Sequence, residues 1–228
     1  DDAEARYREA IAQKPDYTEA HYSLANTLKE LGRLDDAEAS YREAIALKPD
    51  YAEAHYNLGL THHKLGRASD AEASYREALA LKADYVDAHH NLGNMLRESG
   101  RLDEAEETYI QAISLRPDYA EAHNNLGVTY QKKGNLRAAI FSFREAIKIN
   151  NKNPKAFINL GNSLNEQGLL NEAIICFQKA LALKPDYAAS HNNLGLTYLK
   201  KGELKNAISC FKKAIKIKPD YAEAYFNL

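Results

Sequence analysis

Asparagine recurs once every 34 residues over most of this 228-residue chain. The row comprises Asn57, Asn91, Asn125, Asn159 and Asn193, and it continues at Asn227. A carboxamide carries one acceptor and two donors, so it can bond both the C=O and the N–H of a peptide backbone, whatever the side chain. A row of such groups is suited to binding an extended chain. The alternative is structural, because an amide can also bond the backbone of a neighbouring helix.

Histidine recurs with the same period, which raises the question of a metal site. Five of the eight histidines share one phase: His21, His55, His89, His123 and His191. Side chains one repeat apart stand roughly 10 Å apart by helix spacing. Zinc ligands lie about 2.0–2.1 Å from the metal, so these histidines cannot share one ion. We therefore expect no metal.

Nucleophilic chemistry is also not expected. Cys176 and Cys210 share a phase in adjacent repeats, so their Cα atoms should exceed the limit of about 7 Å for a disulfide. Neither has a neighbouring histidine that could serve as a base. The sequence contains no phosphate-binding loop, no nucleophile elbow and no carboxylate pair with a pocket. We expect no catalytic residue and no cofactor, and hence no enzyme.

The elements that position these residues follow a strict 34-residue period. All 11 glycines occupy only two phases of it, and no insertion disturbs the register. The period predicts one array over 1–228, with a half unit at 1–17 and a partial helix at 222–228. The whole units are 18–51, 52–85, 86–119, 120–153, 154–187 and 188–221.

Within each unit, apolar residues recur at helical spacing rather than in alternation. In 52–85 this pattern predicts a first helix over 52–65 and a second over 69–82. Gly66 follows the first helix, where a left-handed residue ends it at low cost.

Two kinds of helix start are predicted. Asp50 is expected to cap the helix that follows it, with Glu53 completing a capping box. Before the helix of 154–187, Asn153 and Pro154 predict an asparagine cap with proline at the first helical position.

Small residues indicate where the two helices of a unit cross. Gly59 lies inside a helix at a cost of about 1 kcal/mol relative to alanine. That cost is tolerable if helices approach closely there, and we expect an alanine of the second helix to face the glycine. This alanine series is Ala37, Ala71, Ala105, Ala139, Ala173 and Ala207. An aromatic series is interpreted as core between units: Tyr41, Tyr75, Tyr109, Phe143, Phe177 and Phe211.

Together these features resemble the tetratricopeptide repeat over the whole chain. Leu58-Gly59, Ala71, Tyr75 and Ala78 stand at the family's spacing, with equivalents in every whole unit except for Ala25 in place of glycine. The resemblance implies an all-α fold, a right-handed superhelical α-solenoid of antiparallel helix pairs. First helices would line a concave groove and second helices would cover the outside. Histidine stands where the family usually has tryptophan. The strict register argues against the RNA-reading pentatricopeptide family, whose repeat is one residue longer.

In the family geometry, the asparagine row points into the groove. Packed helices lie roughly 8–10 Å apart and an extended chain advances about 3.3 Å per residue. One asparagine per repeat would therefore meet about every third peptide residue. The His-x-Asn-Leu run at 123–126 is similar to the repeats of O-linked N-acetylglucosamine transferases, in which an asparagine ladder holds the backbone of substrate proteins.

Other members of the family bind chaperone C-termini through a clamp of Lys, Asn and Arg. The lysine position of that clamp holds Glu19, Glu53, Asp87, Glu121, Lys155 and Ala189 in this chain. Only Lys155 with Asn159 fits, and the arginine is missing. An acidic groove edge repels a carboxylate, so we do not expect this function.

A second period of 68 residues runs through the first helices. One phase alternates between asparagine and an apolar residue: Asn26, Leu60, Asn94, Val128, Asn162 and Leu196. Duplication of a two-repeat ancestor would explain this, and so would a groove with alternating polar and apolar pockets.

Composition restricts partners and location. Lys and Arg number 30 against 32 Asp and Glu, a net charge of −2, which excludes a strongly basic nucleic-acid binder. No run of about 18 apolar residues could cross a membrane. The chain begins at Asp1 without a visible export leader, and because Asp1 cannot be a native start, an upstream signal could have been removed. We predict a cytoplasmic protein without a membrane or nucleic-acid partner.

Charge is polarised along the chain, with a net −11 over 1–130 and +9 over 131–228. Recombination of two arrays and drift both remain open as origins. The two ends are complementary in phase and charge, so we also predict head-to-tail self-association.

The sequence as a whole predicts a protein-interaction module that binds extended or disordered protein segments. Two alternatives are the substrate-recruiting arm of a glycosyltransferase and a self-assembling scaffold.

Overall fold

A computed structural model describes residues 2–228, so Asp1 of the predicted half unit lies outside the described residues. These residues form 14 α-helices and no strand. The chain divides into two compact units, the N-terminal unit Asp1–Leu115 and the C-terminal unit Arg116–Leu228.

The N-terminal unit contains seven helices. In order, they are α1 Asp2–Gln13, α2 Thr18–Glu30, α3 Leu34–Leu47, α4 Ala52–Lys64, α5 Ala68–Leu81, α6 Val86–Glu98 and α7 Leu102–Leu115. Each first helix packs most extensively on the second helix that follows it, and each second helix packs on the next first helix.

The C-terminal unit repeats this arrangement. Its helices are α8 Ala120–Lys132, α9 Leu136–Ile149, α10 Pro154–Glu166, α11 Leu170–Leu183, α12 Ala188–Lys200, α13 Leu204–Ile217 and α14 Ala222–Asn227. The predicted all-α class and the stacked helix pairs of an α-solenoid are confirmed within both units.

Helix ends were predicted with mixed success. Gly66 ends α4 with a φ of 74°, as expected for a left-handed residue. The cap of α10 is also confirmed, since Asn153 Oδ1 accepts the Lys155 N–H at 3.0 Å. The capping box of Asp50 and Glu53 is wrong. Tyr51 occupies the N-cap position without a side-chain bond, because α4 begins one residue later than that box requires.

The close contact inside each repeat joins glycine to an aromatic ring. A Cβ on Gly127 would lie 2.6 Å from Phe143 Cε1, and the next nearest atoms belong to the same ring. The prediction that an alanine faces the glycine is therefore wrong. The glycine leaves room for a ring that is fully buried, as Phe143 is.

Charged contacts join adjacent repeats of the N-terminal unit. Arg33 Nη1 lies 2.7 Å from Glu4, and Arg101 Nη1 lies 2.7 Å from Glu72. In the C-terminal unit, the positions that match these glutamates hold Ile140, Ile174 and Ile208. The repeat position that forms ion pairs in the N-terminal unit is therefore apolar in the C-terminal unit.

Candidate functional site

Each predicted site residue lies at the sixth position of a first helix, and each is half-buried. Asn57 and Asn91 lie in the N-terminal unit; Asn125, Asn159 and Asn193 lie in the C-terminal unit. The 34-residue period places them on the same side of successive first helices.

The amide groups anchor to the preceding repeat. Asn91 Nδ2 donates to Tyr56 Oη at 2.9 Å, and Asn159 Nδ2 donates to Asn124 Oδ1 at 3.1 Å. Both acceptors stand at the fifth position of the preceding first helix. This bond fixes the orientation of the amide plane.

Asn193 is anchored differently. Its fifth-position neighbour in the preceding repeat is Ile158, which has no acceptor, so Asn193 Nδ2 donates to Asn162 Oδ1 at 3.0 Å. Asn162 belongs to the alternating asparagine phase, which here serves to orient the row.

The carbonyl ends of the row divide into two groups. Asn57 Oδ1 accepts from Lys29 Nζ at 2.6 Å, and Asn125 Oδ1 accepts from Asn124 Nδ2 at 3.2 Å. In Asn91, Asn159 and Asn193, no donor from residues 2–228 reaches the carbonyl oxygen. These three therefore each retain an unused acceptor.

Lys29 is bound at the edge of the row. Burial, with the charge of Lys64 nearby, lowers the pKa of the Lys29 ammonium. Its hydrogen bond fills the Asn57 acceptor, while Asn57 Nδ2 donates to Tyr22 Oη and to the Glu53 carbonyl, both at 2.9 Å. Asn57 is thus committed to internal bonds at both ends.

The walls beside the row differ between the units. In the N-terminal unit they are aromatic: Tyr22 packs on Tyr51 with centroids 4.8 Å apart, and Tyr56 packs on Tyr85 at 4.7 Å. Burial raises the pKa of Tyr56, so this phenol stays neutral. In the C-terminal unit the positions equivalent to Tyr22 and Tyr56 are mixed, with amides at Asn124 and Asn192 and apolar residues at Ile158 and Phe226.

Sequence reasoning missed these fifth-position residues. The signal was available, since a polar or aromatic residue precedes the asparagine by 35 positions in most repeats.

The periodic histidines tie each first helix to the turn before it. His55 Nε2 donates to the Pro49 carbonyl at 3.0 Å, and His89 Nε2 makes the same bond to Ala83 at 2.9 Å. Phe157 replaces histidine in the repeat that Asn153 caps. Within residues 2–228, no group of three or more His, Cys, Asp and Glu could hold a metal ion.

One buried cluster has the composition of a catalytic triad. His62 Nδ1 lies 3.2 Å from Ser74 Oγ, and His62 Nε2 lies 3.3 Å from Glu38. Ser74 donates its hydroxyl proton to the Asp70 carbonyl at 2.8 Å, so the histidine is not positioned to receive it. Ser74 is also 7% exposed, out of reach of a substrate. The cluster therefore joins three helices rather than forming a nucleophile.

The cysteines are free and buried. Burial raises the pKa of Cys176 to about 11 and also raises that of Cys210. Thiols of this kind stay protonated near neutral pH and are poor nucleophiles.

Sequence profiles of the repeat match most of the chain. A profile described as TPR repeat matches residues 25–66, 93–134 and 161–202. Two described as tetratricopeptide repeat match 52–85, 120–153 and 188–221, and 7–39. The chain belongs to the tetratricopeptide repeat (TPR) family.

Solved TPR structures resemble it closely in fold. YrrB, described as a TPR protein with an unusual peptide-binding site, is 24% identical, with 82% of this chain and 96% of YrrB covered and a TM-score of 0.72. PilF of Pseudomonas aeruginosa is 20% identical over 92% and 95% of the two chains, with a TM-score of 0.78. MamA is 26% identical over 73% and 97%, with a TM-score of 0.69. A search of the curated proteins gives no match.

A TPR fold of this kind is a protein-interaction or scaffold module, typically without catalysis of its own. None of the helices described in residues 2–228 has the length and apolar composition needed to span a bilayer.

Proposed function

We propose that the TPR units bind extended protein segments through the backbone, and that Asn91, Asn159 and Asn193 make the contacts. The observation that carries this is the unused carbonyl on each of these residues. Each amide is already oriented by its own bond to the protein, so a ligand does not have to order it.

The bonding capacity left on each residue suits a peptide unit. An amide with one N–H committed retains a second N–H donor and the carbonyl acceptor. These can bond the C=O and the N–H of one residue of an extended chain, because both groups of that residue point to the same side. Repetition of the residue at one per repeat matches about every third residue of an extended chain.

The carbonyl groups of the remaining row members, Asn57 and Asn125, already accept hydrogen bonds within the protein. Asn57, whose carbonyl accepts from Lys29, has no acceptor left for a ligand. Asn125 shares its carbonyl with Asn124. We assign both to orienting the row and not to direct contact. The glycosyltransferase-arm alternative would use the same contacts to hold substrate proteins.

The test separates ligand binding from structural bonding. In the N-terminal unit, Asn91→Ala and Tyr56→Phe both remove the bond between Asn91 and Tyr56, but only Asn91→Ala removes the free carbonyl. Binding of labelled unstructured peptides is measured by fluorescence anisotropy, with unfolding midpoints recorded for each variant.

We expect Asn91→Ala to weaken binding. Asn159→Ala with Asn193→Ala should weaken it by about 2–6 kcal/mol, since each residue offers two bonds at about 0.5–1.5 kcal/mol per lost bond. Tyr56→Phe should weaken binding less than Asn91→Ala, because it removes the bond that orients the amide but keeps the free carbonyl. Equal loss in Asn91→Ala and Tyr56→Phe would show that the row acts only within the fold.

A further inference from the structure

An exposed aromatic side chain stands on the outer surface of the C-terminal unit. Phe141 on α9 is 66% exposed, although every neighbouring turn buries its apolar residues inward. Arg137 and Arg144 lie one turn away on either side of it, and both are exposed. Arg144 is paired with Glu172 at 2.7 Å, so the flank that matters for a partner is Arg137. The equivalent positions in the N-terminal unit hold Ala39, Ala73 and Glu107. The aromatic knob with its cationic flanks is thus specific to the C-terminal unit.

A depression that fits such a knob lies on the N-terminal unit, where α5, α6 and α7 meet. It has a volume of about 390 Å³, and Leu79, Leu92 and Ile110 supply apolar lining. Glu107 stands at its edge. Arg76 also contributes, but its charge is balanced by Glu72 at 2.9 Å and by Glu104 at 3.1 Å.

The same place on the C-terminal unit has the opposite charge character. A depression of about 420 Å³ lies among α11, α12 and α13, but Ser209 replaces Glu107 there and Lys213 replaces Gln111. Cationic flanks beside Phe141 would meet a lysine instead of a glutamate. Charge therefore favours the N-terminal depression as the receptor.

The charges of the whole units agree with this pairing. Residues 1–115 carry 13 Lys and Arg against 23 Asp and Glu, a net −10; residues 116–228 carry 17 against 9, a net +8. Opposite potentials of this size steer two such surfaces together and are screened by salt.

We propose that Phe141 of one molecule docks into the Leu79–Leu92–Ile110 depression of a second copy of this chain, with Arg137 beside Glu107. The occupant is a second copy because the chain itself carries both complementary surfaces. The contact joins different surfaces on the two partners, so it is heterologous and repeats from molecule to molecule. It uses the outer surface and leaves the asparagine row unoccupied.

The first experiment measures the self-association of the full chain by sedimentation velocity over a concentration series. We expect association at low salt that weakens at about 0.5 M salt. Phe141→Ser should raise the dissociation constant at least tenfold, as expected for a central aromatic anchor. Leu31→Ser, which changes another exposed apolar residue, is the matched control and should leave it unchanged.

The second experiment is a charge exchange. Glu107→Lys should weaken association, and adding Arg137→Glu in the same chain should restore it, because each contact then pairs the reversed charges. Circular dichroism confirms folding of each variant. A chain that stays monomeric at all concentrations, equal effects of Phe141→Ser and Leu31→Ser, or no rescue by the double reversal would overturn the proposal. If the chain binds anionic vesicles through Phe141 but does not associate with itself, the proposal is overturned as well.

Discussion

At the scale of single residues, the hydroxyl of Tyr75 depends on a position 15 residues earlier. Tyr41 and Tyr109 donate to Asn26 and Asn94 at 2.6 and 2.7 Å. The position that matches these asparagines before Tyr75 holds Leu60, and the buried Tyr75 hydroxyl finds no partner among residues 2–228. The 68-residue alternation therefore has a structural consequence inside the core.

Tyr75→Phe should stabilise the protein. It removes a buried hydroxyl without a partner, whose burial costs about 1–3 kcal/mol, and it keeps the ring that fills the core. Tyr41→Phe is the matched control and should destabilise, since it strands the Asn26 acceptor. Urea unfolding followed by circular dichroism measures both. A destabilised Tyr75→Phe would mean that the hydroxyl has a partner we have not identified, such as water.

Gly127 tests the contact between glycine and ring. Gly127→Leu should cost at least about 1–3 kcal/mol through overpacking against Phe143. Gly127→Ala should cost less, because the first whole repeat has Ala25 at this position and still buries Tyr41 completely. Thermal unfolding of the two variants gives the ranking. Equal stability of Gly127→Leu and the parent would place the close contact elsewhere.

At the scale of the elements, the N-terminal unit joins its repeats through buried and partly buried carboxylates. Burial alone would raise the pKa of Glu72, but hydrogen bonds from Arg101 and Arg76 and their charges outweigh burial and lower it. The pKa of Glu38 is lowered in the same way by His62, Arg42 and Arg67. A carboxylate with a lowered folded-state pKa stabilises the fold above its unfolded value and loses that contribution as the pH falls through the folded value.

Acid should therefore weaken the N-terminal unit through Glu38 and Glu72. Stability from these groups is complete above about pH 4.5 and is lost as the pH falls below that value. Glu72→Gln should be less stable than the parent at pH 7 and should lose less on acidification. Urea unfolding midpoints of the parent and of Glu72→Gln, at pH 7 and at a pH below about 4.5, measure this difference. The exposed Glu43→Gln is the control. An identical pH dependence for the parent and Glu72→Gln would contradict the assignment.

The elements were predictable from sequence because glycine and proline punctuate the repeat at fixed positions. The bounds of α4 and α5 follow from Gly66 and the apolar period to within one residue. The contacts inside the repeat were not predictable in the same way. The helix that packs on α8 carries both Ala139 and Phe143 on its buried side. The period of the sequence cannot tell which of the two approaches Gly127.

The candidate site shows the same division. The phase of the asparagine row could be read from the sequence, but the commitment of Asn57 to Lys29 could not. Lys29 is 28 residues from Asn57 in the sequence and lies on the preceding first helix. Which members of the row keep a free acceptor depends on such single side chains, which vary between repeats.

At the scale of the whole molecule, the proposed function gives one repeated residue type two purposes, bonding within the fold and binding a ligand. Every row member bonds within its unit, and three retain capacity for a ligand. Stacking of repeats supplies the regular spacing, which a single helix pair could not provide. The tyrosines beside the row in the N-terminal unit, and the mixed amide and apolar residues at the equivalent positions of the C-terminal unit, would then distinguish the side chains of a bound segment.

The central claim is that the free carbonyls accept hydrogen bonds from a peptide backbone. The most direct measurement is calorimetric titration with one unstructured peptide that binds the chain and with versions of it carrying a single N-methyl group at each position in turn. Methylation removes one backbone donor without changing the side chain. We predict that affinity falls at the positions that face a free carbonyl, including two positions about three residues apart that face Asn159 and Asn193, and is kept at the positions between them. Affinity that is unaffected at every position, or reduced equally at all of them, would contradict the account.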